Sequence, residues 1–462
     1  MSKEKGILFK KYITPTIENQ QNYIGIEVEN PIIRLDGTAT DFGVIHALME
    51  HYVTDGFTVL SRDDDGEIIA LIEEKSGDTI TFDCSYNNLE YSLGRGEDLH
   101  ELNNRLNHYY SLAQEFLEPQ GHLLTGMGVN PYWQENDGRA VESPRYQMLM
   151  SYLGSYSNYE TDFPNFFHKF SKYGGFVSAS QVQLDLNMED MFEKINMFNR
   201  LEPLKGYLFA NSYFWNENWD TLISRDIFWE HSMHGIYREN VGTYTRDFTT
   251  ANDFMTHIEE TSMFCALRGE KYYYFYPIQV KDYLAQKEIQ AYYYDKTQDT
   301  ILSESIQPEE ADFAYHRSYT LQDVTARGTV EFRSVCAQPL SEKMTVAAFH
   351  VGLFANFEEL QQLLQEERFV WLVKGDSEAL RHQFSKFTIQ PDSEEKMQEF
   401  ALAVLDCAKA GLKKRGKEEE EFIEPLYFRA NSGLNPAKSA LLELEKGQPL
   451  ENILRQYAKL EK

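Results

Sequence analysis

The sequence predicts an α+β protein in which a curved, mainly antiparallel sheet carries helices on one face and has a polar, concave opposite face. Strand-like segments alternate with helical ones through the first three quarters of the 462-residue chain. Short turns separate the early strands, which favours antiparallel pairing. From Leu340 onward the apolar spacing is helical. We therefore expect a sheet-containing region at 1–365 and a helical C-terminal region at 366–462 that packs on it.

Periodicity assigns the individual elements. Residues that alternate between two faces indicate strands, and apolar residues three or four apart, such as Phe42, Ile45 and Met49, indicate helices. Strands are predicted at 23–29, 57–61, 68–73, 79–84, 88–93, 123–129, 179–186, 271–276, 289–294 and 328–334. Helices are predicted at 40–52, 99–116, 143–153, 188–208, 344–364, 377–387, 394–413 and 437–457. A polar lead-in is expected at 3–20, an exposed loop at 297–312 and a solvated connector at 413–421.

Three of the predicted strands, 24–29, 179–186 and 328–334, place polar side chains at every second position of an apolar run. Alternate residues of a strand share a face, so one face would be apolar and the other polar. The polar face would carry Glu27, Glu29, Gln181, Gln183, Asp185, Glu331 and Arg333. Carboxylates are poor strand formers and repel one another on a shared face unless a cation lies between them. The pattern suits a site for divalent cations and phosphates, and an ordinary solvated strand face is the alternative interpretation.

Composition narrows the class of partner. The net charge is −29 and the isoelectric point is about 4.8, which argues against nucleic acid and anionic membranes. A hydrophobic content of 42% indicates a large packed core. The longest uncharged apolar run, 344–357, is too short to span a bilayer and is predicted to be a buried helix.

Cysteine usage and the N-terminal residues indicate a reducing compartment. The four cysteines, Cys84, Cys265, Cys336 and Cys407, form no CxxC pair and match neither a zinc site nor a disulfide scaffold. The N-terminal residues lack the apolar segment of a signal peptide. A cytoplasmic location with reduced thiols is therefore expected.

Seven short motifs follow one another between Ile24 and Asn356. They are Glu27-x-Glu29, Asn88–Ser92 with Glu90, Arg145-Tyr146, Ser178–Asp185, Phe209–Ser212, Ser224-Arg225 with Arg238-x-x-x-Gly242, and Ala326–Arg333 with Glu331-x-Arg333. In this order they resemble the glutamate–cysteine ligases of the plant and proteobacterial type, in the glutamine-synthetase-like group of carboxylate–amine ligases. The segment 292–319 resists alignment with that pattern. The resemblance implies a catalytic domain at 1–365 with its active site on the polar concave face.

The resemblance also implies a reaction, the first step of glutathione biosynthesis. ATP would convert the γ-carboxylate of L-glutamate into a γ-glutamyl phosphate, which the amine of L-cysteine then attacks. Cations and arginines must neutralise the charge when a carboxylate approaches a triphosphate. We therefore expect two or more Mg²⁺ ions, replaceable by Mn²⁺, and ATP as co-substrate.

Site residues are assigned by the same resemblance. Carboxylates suit Mg²⁺, and planar guanidinium groups suit carboxylates and phosphates. The predicted roles are metal ligands for Glu27, Glu29, Glu90 and Glu331; nucleotide binding for Gln183 and Arg333; catalysis for Arg333 and Arg238; and substrate binding for Arg145, Tyr146, Arg225 and Arg238. A structural salt bridge is the competing interpretation for each arginine.

Besides a non-catalytic binding protein, two other functions remain open from the sequence. The first is a γ-glutamyl or other carboxylate–amine ligase with a different amine acceptor, since the motifs specify the acceptor less well than the phosphoryl chemistry. The second is a carbohydrate-binding or glycoside-cleaving protein that uses Glu29 and Glu331 as acid and base. That second reading leaves Arg333 and Gln183 without a role.

Overall fold

The computed structural model describes residues 2–18 and 22–460. Within them the strands are β1 (Ile24–Arg34), β2 (Thr58–Arg62), β3 (Ile68–Glu73), β4 (Asp78–Phe82), β5 (Asn88–Gly96), β6 (His122–Leu124), β7 (Ser180–Asp185), β8 (Val241–Gly242), β9 (Ser262–Arg268), β10 (Lys271–Gln279), β11 (Ile289–Asp295), β12 (Thr300–Ile306), β13 (Tyr319–Thr320), β14 (Gln322–Val324) and β15 (Thr329–Phe332). The α-helices are α1 (Lys3–Tyr12), α2 (Thr14–Glu18), α3 (Phe42–Thr54), α4 (Leu99–Leu117), α5 (Pro144–Gly154), α6 (Met191–Arg200), α7 (Glu202–Phe209), α8 (Ser224–Glu230), α9 (Ala251–Glu260), α10 (Val280–Tyr283), α11 (Thr345–Ala355), α12 (Phe357–Leu364), α13 (Val370–Val373), α14 (Ser377–Phe384), α15 (Pro391–Arg415), α16 (Glu424–Ser432), α17 (Pro436–Glu445) and α18 (Leu450–Tyr457).

The main sheet has nine strands. Its order is β14-β15-β7-β1-β5-β4-β3-β2, and β6 pairs with the far end of β1. Neighbouring strands in this sheet run antiparallel, with β1 between β5 and β7. The three alternating segments of the sequence therefore become neighbours, β15, β7 and β1, although they lie far apart along the chain.

A second, four-stranded sheet has the order β12-β11-β10-β9 and is also antiparallel. Helix α5 contacts β10 and β11 of this sheet. A short parallel pair, β8 and β13, lies in the segment between Val241 and Thr320. The prediction of an α+β protein with mainly antiparallel sheets and a helical C-terminal region is confirmed.

The apolar face of the main sheet is buried, as the alternating pattern predicts. The face consists of Ile24, Ile26, Val28, Val182, Leu184, Leu186, Val330 and Phe332, all of them buried. Helix α11, in which residues Thr345–Leu353 are buried, contacts β7, and α4 contacts β5. Burial of each large aliphatic side chain stabilises the fold by roughly 1.5–3 kcal/mol. The helices therefore hold one face of the sheet and leave the polar face to the site.

The C-terminal helices pack against the rest of the chain. Helix α15 contacts α11, and α14 contacts α7. Helix α15 begins with Pro391 and ends at Arg415, and the Gly416 that follows has a φ of 69°, the left-handed conformation that favours glycine at a helix end. No helix among the described residues is both long and apolar enough to cross a membrane.

Two polar segments are more ordered than the sequence predicts. The lead-in at 3–18 forms α1 and α2, and α1 buries Leu8 and Tyr12; residues 19–20 lie outside the described part of the chain. The expected loop at 297–312 contains β12, which pairs with β11 from Ile289–Ile306 to Asp295–Thr300. Because β12 is an edge strand with one partner, its exposed side can carry polar residues, and polarity alone misread it as a loop.

Other boundaries also differ from the prediction, as two polar or short segments illustrate. The strand expected at 123–129 ends at Leu124. The connector at 413–421 begins inside α15, and its Glu419 is buried. Glu419 accepts a hydrogen bond of 2.9 Å from the backbone N–H of Leu99 and pairs with Arg415 at 2.6 Å. A run of charged residues is predicted to be exposed to solvent because the sequence does not show its partners. The tertiary structure supplies those partners for Glu419.

Candidate active site

Strand register brings three glutamates together on the polar face. Strand β1 supplies Glu27 and Glu29, and Glu29 lies directly opposite Glu90 of β5. On the other side of β1, Gln181 of β7 lies opposite Glu27. Directly opposed residues of antiparallel strands have Cβ atoms about 4.5–5.5 Å apart. The strand pairing alone therefore brings the carboxylates of Glu29 and Glu90 close together.

The carboxylate cluster, defined here as Glu27, Glu29 and Glu90, has the geometry of a cation site. One oxygen of each carboxylate lies within 4.8 Å of the oxygens of the other two. The Gln181 side-chain amide donates hydrogen bonds to Glu27 Oε1 at 2.6 Å and to Glu29 Oε1 at 3.0 Å, which fixes the pair. Several acidic oxygens at this spacing suit Mg²⁺ or Mn²⁺. Three of the four predicted metal ligands are thus brought together.

Burial and mutual repulsion raise the pKa values of the cluster. Burial, followed by the charges of Glu90, Glu331 and Glu29, raises the pKa of Glu27 well above its usual range. Burial also raises the pKa of Glu29, against the opposing effect of nearby arginines and of hydrogen bonds. Burial, then the charges of Asp83 and Glu29, raises the pKa of Glu90 to about 8. A bound cation would favour the ionised carboxylates and oppose all three shifts.

Glu331, the fourth predicted metal ligand, lies apart from the carboxylate cluster. It stands opposite Gln183 of β7, and the Gln183 amide donates a 2.6 Å hydrogen bond to Glu331 Oε1. Arg333 Nε lies 3.5 Å from Glu331 Oε2, and Arg333 Nη1 donates to the Ser318 carbonyl at 3.0 Å. Gln183, Glu331 and Arg333 therefore form one polar group, and the charge of Glu331 still reaches Glu27.

Helix α5 places Arg145 and Tyr146 at the end of β4. Ser143 caps the helix by accepting a hydrogen bond of 3.5 Å from the Tyr146 N–H. The Tyr146 hydroxyl donates to the Phe82 carbonyl at 3.0 Å, which ties the helix to the main sheet. Arg145 is exposed, with its guanidinium 5.6 Å from the centre of the Tyr146 ring.

The other two predicted arginines are engaged by protein groups. Arg225 is buried and donates to the carbonyls of Val335 at 3.3 Å and Arg333 at 3.4 Å, so it supports the backbone that carries Arg333. Arg238 forms an ion pair with Glu378 of α14 and donates to a backbone carbonyl. It lines a cleft of about 770 Å³ whose described lining includes no member of the carboxylate cluster. The structure therefore does not bring Arg238 to the cluster.

Asp83 and Arg317 are two residues to which no role was predicted from the sequence. Burial, then the charges of Glu29 and Glu27, raises the pKa of Asp83 to about 7. In the predicted strand 79–84, Asp83 is two residues from Thr81 and therefore shares its face, and Thr81 is paired with Glu90. The alternation of the sequence could therefore have placed Asp83 on the polar face. Arg317 is exposed, 5.2 Å from the centre of the Tyr319 ring. It lies in the segment that no motif covers, and no sequence signal pointed to it.

This arrangement, a carboxylate cluster suited to divalent cations beside a fixed arginine, fits enzymes that handle phosphates with metal ions. The family model of glutamate–cysteine ligase family 2 (GCS2) matches residues 42–458. The chain belongs to this family. Family membership does not favour the glycoside-cleaving alternative.

Curated relatives are plant enzymes. The chain is 24% identical to the chloroplastic glutamate–cysteine ligase of Medicago truncatula over 357 residues, which is 76% of this chain. It is also 24% identical to the chloroplastic glutamate–cysteine ligase of Arabidopsis thaliana. The chain spans 65% of the length of the first relative and 63% of the second, a little under two thirds.

A solved structure of glutamate–cysteine ligase from Francisella tularensis, in complex with AMP, is also similar. The likeness covers 96% of this chain and 89% of that chain, with 12% sequence identity and a TM-score of 0.47.

Proposed function

We propose that this protein uses ATP and Mg²⁺ to join the γ-carboxylate of L-glutamate to the amine of L-cysteine, the first step of glutathione biosynthesis. The observation that carries the proposal is the carboxylate cluster, which the charge of Arg333 reaches from two strands away, in a chain of the glutamate–cysteine ligase family. The names of the curated relatives support the donor and the acceptor. Residues 1–365 would contain the catalytic groups, and the helices of 366–462 would support them.

The carboxylate cluster fits the proposed metal ion. Its three oxygens are mutually close, and burial raises the pKa of each carboxyl group. A bound cation favours the ionised carboxylates and therefore opposes these pKa shifts. Glu27, Glu29 and Glu90 would hold Mg²⁺, which would neutralise charge on the triphosphate and on the incoming carboxylate. Gln181 keeps two of the three carboxylates oriented through its amide.

Arg333 has the position of a phosphoryl-binding group. Its backbone is supported by Arg225, and its guanidinium is oriented by the Ser318 carbonyl and by Glu331. A guanidinium held in this way needs little reorganisation when charge spreads over the oxygens of the moving phosphoryl group. Arg333 therefore stabilises formation of the γ-glutamyl phosphate, and attack by the amine then expels phosphate.

ADP release measured with Mg²⁺, ATP and L-glutamate tests the reaction. L-cysteine is expected to accelerate ADP release strongly over a panel of other amino acids and amines. A stronger response to another amine would keep the ligase chemistry and change the acceptor. A folded protein that releases no ADP with any acceptor would contradict the proposal.

Glu27→Gln tests the metal cluster directly. This change removes one charge from the cluster and keeps the side-chain volume. Activity at limiting Mg²⁺ is expected to fall by a factor on the order of 10² or more, the scale seen when an electrostatic stabiliser is lost. Unchanged turnover at limiting Mg²⁺ would make Glu27 an ordinary strand residue. Circular dichroism of the variant controls for folding.

A further inference from the structure

Arg317 presents a guanidinium that no protein carboxylate neutralises directly. Its side chain is exposed, and it makes no hydrogen bond or ion pair among the described residues; its contact is the Tyr319 ring, 5.2 Å away. The chain has 73 Asp and Glu against 44 Lys and Arg, so carboxylate partners are abundant. A guanidinium left open in such a chain is available to an anionic ligand.

The backbone that carries Arg317 is fixed by its neighbours. The Ser318 carbonyl accepts a hydrogen bond from Arg333 at 3.0 Å, and the Ser318 hydroxyl donates to Asp323 at 2.8 Å. Tyr319 belongs to β13, which pairs with β8 at Val241. The guanidinium lies against the Tyr319 ring, which limits its rotamers. A fixed cation binds an anion with less loss of side-chain entropy than a mobile one.

A second arginine without a carboxylate partner among the described residues, Arg145, acts on the same residues as Arg317. Arg145 of α5 is exposed and, within the described part of the chain, forms no hydrogen bond or ion pair through its side chain. Burial raises the pKa of the Cys265 thiol to about 12, and the charges of Arg317 and Arg145 both oppose that shift. The same two charges oppose the effect of burial on the pKa of Tyr319. The charges of two arginines from distant parts of the sequence therefore both reach Cys265 and Tyr319.

Arg333 links Arg317 to the reaction site. Its guanidinium lies 5.7 Å from the centre of the Tyr319 ring, the ring that Arg317 also contacts. A substrate whose reacting group lies at Arg333 would reach Arg317 through a short carbon chain. The carboxylate cluster and Arg333 already supply groups for the phosphates, so the two open arginines are left for a carboxylate, which a guanidinium binds in a bidentate manner.

We propose that Arg317 is a specificity-determining residue that, together with Arg145, binds the α-carboxylate of an amino-acid substrate. The inference rests on the proposed function and goes beyond it, because Arg317 lies in segment 292–319, outside the motifs that indicate the family. It identifies Arg317 as a residue that recognises a substrate carboxylate.

Paired substrates that differ by one carboxylate test the proposal. The donor arm compares L-glutamate with its α-amide, and the acceptor arm compares L-cysteine with cysteamine. In Arg317→Met, the preference for the carboxylate-bearing partner, as a ratio of kcat/KM values, is expected to fall about 10- to 100-fold in one arm, the scale of a lost charge-assisted hydrogen-bonded pair. The arm that responds identifies which substrate is bound. Arg317→Lys should restore part of the preference, since lysine keeps the charge and lacks the planar fork.

A matched control is Arg139→Met. Arg139 is also exposed beside a tyrosine ring, 5.9 Å from Tyr86, and it lies outside the proposed site. It should leave both ratios unchanged. Unaltered ratios in Arg317→Met, or a rise in KM for ATP alone, would overturn the proposal; the second result would make Arg317 a phosphate-binding residue.

The test separates this inference from the proposed function. Wild-type ADP release decides the function first, without reference to Arg317. If the wild-type protein is inactive, calorimetric titration with L-glutamate and with L-cysteine replaces the kinetic ratios. Binding that weakens at least 10-fold in Arg317→Met, and not in Arg139→Met, would then support the carboxylate subsite. Absent binding, or equal binding by all variants, would overturn it.

Discussion

Replacing Glu90 by Gln should stabilise the metal-free protein, and the effect should depend on pH. Burial and the charges of Asp83 and Glu29 raise the pKa of Glu90 from an ordinary 4.5 to about 8. Between these values the folded protein binds a proton that the unfolded chain has released, so the free energy of unfolding falls as the pH rises. Above the folded-state pKa the penalty is complete. Glutamine does not ionise and avoids it.

The expected magnitude follows from the difference in pKa. Raising a pKa from 4.5 to about 8 costs the ionised state at most about 5 kcal/mol, at about 1.4 kcal/mol for each tenfold change in proton affinity. For 462 residues the entropy of unfolding is on the order of 1 kcal/mol per degree, so the gain is at most about 5 °C in melting temperature. Ser92 and Thr81 both donate to Glu90 Oε1, at 3.1 and 3.2 Å, and a glutamine oxygen can accept both hydrogen bonds. Loss of contacts should therefore offset little of the gain.

Thermal unfolding in EDTA at pH 5 and at pH 8.5 checks this prediction. Glu90→Gln should melt close to wild type at pH 5 and several degrees higher at pH 8.5. Mg²⁺ at pH 8.5 should raise the melting temperature of wild type more than that of the variant, because the variant lacks one carboxylate for the cation. Glu97→Gln, an exposed glutamate beyond the end of the same strand, is the matched control. A variant that is less stable than wild type at pH 8.5 without metal would refute the reasoning.

Two further predictions concern arginines. Arg333→Met should lower kcat by about 10²-fold with little change in KM for ATP, because the interaction strengthens as the phosphoryl group moves; steady-state kinetics would contradict this if KM rose at constant kcat. Arg381→Met should destabilise the protein by about 3–5 kcal/mol, the scale for breaking a buried ion pair. Arg381 is 1% exposed and binds Asp226 at 2.7 Å and Glu202 at 3.0 Å, so its loss leaves buried charges without a partner. Urea denaturation measures the change, and an effect no larger than that of the exposed Arg368→Met would show that the network contributes little.

The alternation of β1, β7 and β15 could be read from the sequence because it is local. A strand repeats every two residues whatever its neighbours are, so Glu27, Glu29, Gln183 and Glu331 had to share a polar face once each segment was extended. The order of short motifs likewise indicated the ligase family before any fold was known. Helical spacing assigned the C-terminal region for the same reason.

Only the tertiary structure decided which of these residues meet. Strand order is set by packing between segments that are distant in the chain, and no local pattern encodes it. It placed Glu90 beside Glu29, and it placed Glu331 on β15, two strands away from β1, where Glu331 pairs with Gln183 of the intervening β7. The tertiary structure also joins Arg238 to Glu378 in an ion pair.

Arg317 shows the same division most clearly. In the sequence it is one charge in a segment without recognisable pattern, and nothing distinguishes it from a solvated side chain. In the fold, β13 and the Ser318 contacts hold it against the Tyr319 ring, where Arg333 also lies. The sequence alone determined which faces are polar and which chemistry they suit, because those properties follow from residue type and period. The three-dimensional arrangement decided which charges are neutralised and which stay open to a substrate, because neutralisation requires partners brought together from distant parts of the chain.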